Sequence, residues 1–149
     1  MSIIANINAL KARLQNAPEL NAFFVNNFGK ALKVVKAYKN RTEIAFDDLP
    51  ILMITRPQID RSYGGSKGVN KEHHIFLYVG FHYDKVDDLE LALDYFVELD
   101  DLLEDAVSTR LLSVAEDKAF VVSIEESAND EGMLHPIYFM KMHLKIKDR

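Results

Sequence analysis

Cysteine is missing from this chain altogether. That excludes a disulfide framework, a thiol nucleophile and thiolate metal sites, and it fits a reducing cytoplasm. Long apolar runs are missing too; none approaches the roughly 18 residues that would span a bilayer. The start, Met1-Ser2-Ile3-Ile4-Ala5-Asn6, lacks the basic residues and unbroken apolar stretch of a signal peptide. A strong positive charge is also absent: the net charge is −5, whereas binding duplex phosphates needs a basic surface. Neither a membrane nor a specific nucleic-acid sequence is therefore expected as partner. Glycine is scarce, with three of the six in one segment as Gly64, Gly65 and Gly68. That segment is flanked by Arg56, Arg61, Lys67 and Lys71, but it lacks the glycine spacing and Lys-Ser/Thr pair of a nucleotide-phosphate loop. A nucleophile elbow, a zinc-protease helix and a kinase signature are all lacking.

What is present points to surfaces. The 149 residues, 48% apolar and 28% charged, predict one domain over residues 1–149, able to bury roughly 70% of its unfolded surface. The negative charge is concentrated. From Asp84 to Asp105, ten carboxylates face one cation, Lys85, so this segment carries −9 and the remainder of the chain +4. Two surfaces of opposite sign suit self-assembly or docking better than a buried reaction site.

The pattern along the chain predicts the elements. Ser2 can cap a helix with Ile3, Ile7, Leu10 and Leu14 on one side. Pro18 opens a second helical stretch through Leu20, Phe23, Phe24 and Phe28, which Gly29 ends. Val34 and Val35 favour a strand over residues 32–38, and Asp47-Asp48-Leu49-Pro50 a turn before a short apolar strand, Ile51 to Thr55. Gln58 to Asn70 reads as a mobile hairpin tip or extended loop. From His73 to Tyr83 both alternating faces are rich in aromatics, as in a central strand covered, at least in part, on both sides. Leu89, Ala92, Phe96, Leu99, Leu103 and Ala106 recur at helical spacing, so a helix capped by Asp84 or Asp87 is expected to run to about Leu112. Lys118 to Glu126 reads as a strand and Ser127 to Leu134 as a polar turn. The last strand alternates cleanly, with Tyr138, Met140, Met142, Leu144 and Ile146 opposite Lys141, His143, Lys145 and Lys147. The order predicts an α+β domain. Its sheet is largely antiparallel, or mixed, with four to five strands, and an N-terminal helix and one long helix pack on one face. A parallel pairing across the long helix would make the sheet mixed.

The titratable residues give no catalytic or metal assignment. His73 and His74 point to opposite faces, while His74 and His82 share one but lie about 26 Å apart. Solvated surface histidines are therefore expected, with no metal and no cofactor. The helix carboxylates read as a solvated face rather than an acid/base pair. The lysines of the last strand suit an edge strand guarded against unwanted pairing, or a docking face for an acidic partner.

Four features together resemble the tail-terminator, or tail-completion, proteins of long-tailed bacteriophages and related prophages. These are the opening helix from Ile3 to Leu14; Leu49-Pro50-Ile51-Leu52-Met53-Ile54 leading into a glycine-containing loop; a strand from His74 to Tyr83 that meets Asp84 and a helix through Leu89, Leu93 and Leu103; and a final strand from Pro136-Ile137-Tyr138. The resemblance implies a structural protein without catalysis, which forms a ring of typically six subunits on the finished tail tube. Such a ring offers the surface to which the head joins. Its partners would be a second copy, the tail-tube protein and a head-completion protein, and it would reside in the host cytoplasm before entering a virion. The assembly surface expected on the charge pattern is Asp94, Glu98 and Asp101 against Arg61, Lys67, Lys71, Lys141, Lys145 and Lys147. The competing expectation is a small-ligand or nucleic-acid-binding α+β module, whose sign would be a pocket lined by His74, Tyr78 and His82.

Overall fold

A computed structural model describes residues 3–37, 44–63, 69–83, 89–107, 121–129 and 136–148. Two helices open it, α1 (Ile3–Asn16) and α2 (Pro18–Phe28). Pro18 stands in the first turn of α2, where a missing N–H costs nothing, and Gly29 ends it at φ 75° with its N–H donating to Val25 O. The turn between the helices is tied by Asn21, whose Nδ2 donates to Gln15 O at 2.8 Å.

Five strands follow in the order β1 (Lys33–Val35), β2 (Ile51–Tyr63), β3 (Val69–His82), β4 (Val121–Asn129) and β5 (Ile137–Asp148), with the long helix α3 (Leu89–Val107) between β3 and β4. In space they form one mixed sheet, β1-β2-β3-β5-β4. Among the described residues the one parallel pair is β1 with β2. It is not the pairing across the long helix: β3 and β4 run parallel, but β5 sits between them and is antiparallel to both. The two ends of α3 inferred from Asp84, Asp87 and Leu112 lie outside the described residues, as does most of the polar turn before Leu134.

Two expectations are corrected. Of the two readings of Gln58 to Asn70 the extended loop fails and the hairpin holds: β2 continues to Tyr63 and pairs with β3 from Val69 onward. The register shifts between Thr55 and Gln58, so Pro57, which cannot donate to a ladder, falls in the irregularity and the strand resumes beyond it. The lysine-bearing last strand is also not an edge. It has a neighbour on each side, so edge protection does not explain its lysines.

All three helices lie on one face. Leu10, Leu14, Phe23 and Phe24 meet Phe96, Leu99 and Leu103 of α3 over Leu77, Val79, Phe81, Met142 and Leu144 of the sheet, and this is the main core. On the opposite face, among the described residues, Ile44, Leu49, Ile51, Met53 and Phe139 form a second apolar cluster at one end. Strand β3 is thus covered on both sides at that end.

Candidate functional site

The apolar stripe of α3 packs inward through Ala92, Phe96, Leu99, Leu103 and Ala106. Its outward face carries Glu90, Asp94, Glu98, Asp101, Glu104 and Asp105, all exposed. Over its 19 residues the helix has seven carboxylates and no cation. Set among them are two exposed apolar residues one turn apart, Leu93 at 58% and Val97 at 57% exposure.

The residues of the expected basic surface do not lie together. Arg61 pairs with Lys71 across β2 and β3, and Lys71 alternates with the buried His73 and Ile75, so both face the helix side of the sheet. Lys141 and Lys145 pair with Tyr78 and His74 and face the other side. Lys147 is opposite Glu72 in the register, and Lys67 lies outside the described residues. On the helix side, Arg56 Nη1 donates to His73 Nδ1 at 3.1 Å. On the open side, Lys145 Nζ is 3.8 Å from Glu125 and Lys141 Nζ sits 5.0 Å over the Phe76 ring.

Among the described residues two histidines are buried, contrary to the expectation of solvated ones: His73 and His74 are 2% and 8% exposed. His74 is the middle member of a chain across three strands. Its Nε2 lies 2.6 Å from Asp60 Oδ2 on β2 and its Nδ1 2.8 Å from His143 Nε2 on β5. An ionised carboxylate only accepts, so His74 Nε2 carries the hydrogen. On that tautomer its Nδ1 accepts from His143 Nε2. The His143 ring is stacked on Phe76 at 4.6 Å between centroids. Reasoning within single strands misses this chain, since His74 and His143 are 69 residues apart and meet only because β3 neighbours β5.

Burial, and then the nearby charge of His74, hold His143 below its ordinary 6.5. Asp60 is held below its ordinary 3.8, first by the Gln58 hydrogen bond and then by His74. In both cases the unfolded chain binds the proton more readily, so stability rises with pH across the window between folded and unfolded values. The contribution of His143 is complete above 6.5 and falls as the pH drops below it; that of Asp60 is complete above 3.8 and is lost below it. Thermal melts from pH 7.5 to 5 should therefore show a declining midpoint that flattens in His143→Gln. Identical pH profiles for the two proteins would refute this.

A cavity of about 250 Å³ opens at the covered end of the sheet, lined among others by Phe28, Lys30, Phe46, Pro50, His82 and Tyr95. Of the expected pocket residues only His82 lines it; His74 and Tyr78 lie further along the strand. The volume is just under the ~300 Å³ at which ligand sites usually begin. No helix among the described residues is long and apolar enough to cross a membrane.

No protein-family model matches the chain, and no curated protein matches it. Thirty-four chains of solved structures do. Among them is a chain from the virion of a native gene transfer agent particle, with a TM-score of 0.57 and 10% identity. The superposition covers 94% of this chain and 91% of that one, so the two share a fold over nearly their whole lengths.

Proposed function

We propose that this protein is a structural component of a phage-like particle, acting as a tail terminator: a ring that caps the tail tube and presents the surface for head joining. The observation that carries the reading is the shared fold with a chain of a gene transfer agent virion over 94% of the present chain. The order of elements quoted above, which resembles tail terminators, points the same way. The separation of charge supports assembly as the role of the exposed faces, because α3 is acidic throughout while Arg61, Lys71, Lys141 and Lys145 lie elsewhere. A second copy, a tail-tube protein and a head-completion protein are the partners on this reading, and no reaction is required of the chain.

Sedimentation velocity across concentration and salt, with negative-stain electron microscopy of the same samples, tests it. A ring-sized species that grows with concentration and weakens with salt is expected, since exposed charge pairs are screened. A monomer at every concentration, which also fails to bind the end of a tail tube, would sink the reading.

A further inference from the structure

The two basic sets differ in how far their own chain neutralises them. On the open face Lys145 has Glu125, Lys141 lies over Phe76, and Asp60 is bound to His74. On the hairpin arm formed by the far ends of β2 and β3, Arg61 and Lys71 stand directly opposite each other. Like charges so placed repel. Neither has an ion pair among the described residues, although α3 lies on the same side of the sheet. Tyr63, two residues along and on the same side as Arg61, is 80% exposed.

Helix α3 has the converse fault. Glu90 and Asp94, Asp94 and Glu98, Asp100 and Glu104, and Asp101 and Asp105 are like charges four apart, a spacing that weakens a helix. None of them has an ion pair among the described residues. The exposed Leu93 and Val97 lie in the same face. Each surface therefore carries what the other lacks: two unneutralised cations and an exposed ring on the arm, carboxylates and an apolar ridge on the helix.

We propose that the arm of one copy lies across the outer face of α3 in the next copy. Arg61 and Lys71 meet Asp94, Glu98 and Asp101, and Tyr63 covers Leu93 and Val97. This inference rests on the assembly reading and adds to it the pair of surfaces that make contact. Because the two surfaces differ, the contact is head-to-tail, and repetition closes a ring when the rotation allows. The open sheet face, where Lys141 and Lys145 already have neighbours within the chain, is left for a different partner.

Two variants test the contact, Arg61→Glu with Lys71→Glu on the arm and Asp94→Lys with Glu98→Lys and Asp101→Lys on the helix. All five positions are at the surface or partly so, and circular-dichroism melts establish that each variant folds. In sedimentation each variant alone should lose association, with the dissociation constant raised at least about tenfold. An equimolar mixture of the two should recover it, because each reversed arm then finds a reversed helix and each native arm a native helix. If wild type assembles and the variants assemble as well as it does, or the folded variants fail to recover on mixing, the contact is overturned while the assembly reading stands. A wild type that never associates, alone or on tubes, overturns both.

Discussion

Phe81→Ala is expected to cost about 3–5 kcal/mol of stability, the range for removing a fully buried aromatic ring. Phe81 is 0% exposed and stands where the helices meet the sheet. Its ring centroid is 4.9 Å from Phe28 of α2, 5.2 Å from Phe96 of α3 and 6.0 Å from Tyr138 of β5. One ring thus joins four elements, and aromatic pairs at these separations add to the area they bury. Collapse around the deletion is hindered because the neighbours are themselves rings held by others, Tyr95 against Phe28 at 5.2 Å among them. For a chain of this size the midpoint should fall by roughly 6–20 °C. Calorimetry decides the matter: a loss below about 1 kcal/mol would mean that the cluster repacks. Ile4→Ala, at a 65% exposed position outside the core, is the control and should leave the melt nearly unchanged.

The second large effect has the opposite cause, added volume. A glycine within a strand ordinarily weakens it, and alanine there gains roughly 0.5–1 kcal/mol. At Gly80 the sign should reverse. Gly80 is paired with Ile51 on one side and Phe139 on the other, in the row beneath the second apolar cluster. A Cβ at this position would stand 2.7 Å from Cε1 of the Phe139 ring. That ring is 4% exposed and is packed in the cluster with Ile51 and Met53, so it cannot swing clear. Gly80→Ala should cost about 1–3 kcal/mol and Gly80→Val more. In a Phe139→Leu background the cost of Gly80→Ala should largely vanish, giving a coupling of at least about 0.5 kcal/mol in a double-mutant cycle. Additive losses would show that something other than the ring contact penalises the side chain.

These two positions also show what periodicity can and cannot reveal. Phe81 belongs to the alternating set Ile75, Leu77, Val79, Phe81, and its burial follows from that pattern alone. Gly80 falls in the second alternating set, between Tyr78 and His82, and nothing local says that a ring from 59 positions later lies over it. The same division runs through the rest of the chain. The bounds of α2 are legible because proline and glycine impose them through the backbone itself. The inward face of α3 is legible because a 3.6-residue repeat sorts side chains before any partner is chosen. The arm from Gln58 to Tyr63 is not legible: Pro57 interrupts β2, and what makes the remainder a strand is the hydrogen-bonding partner supplied by β3.

The amino-acid order by itself determined the α+β class, the one long helix, and the concentration of carboxylates on that helix's outer face. These are properties of local spacing, and local spacing is written in the chain. Tertiary structure alone decided which strands became neighbours. Placing β5 between β3 and β4 turned a supposed edge into an interior strand and brought His143 to His74. Pairing the two arm strands set Arg61 beside Lys71 on one side of the sheet, with Lys141 and Lys145 on the other. Strand adjacency depends on closing long loops and burying a shared face, a cost and a gain that belong to the whole molecule, so no stretch of sequence carries it alone.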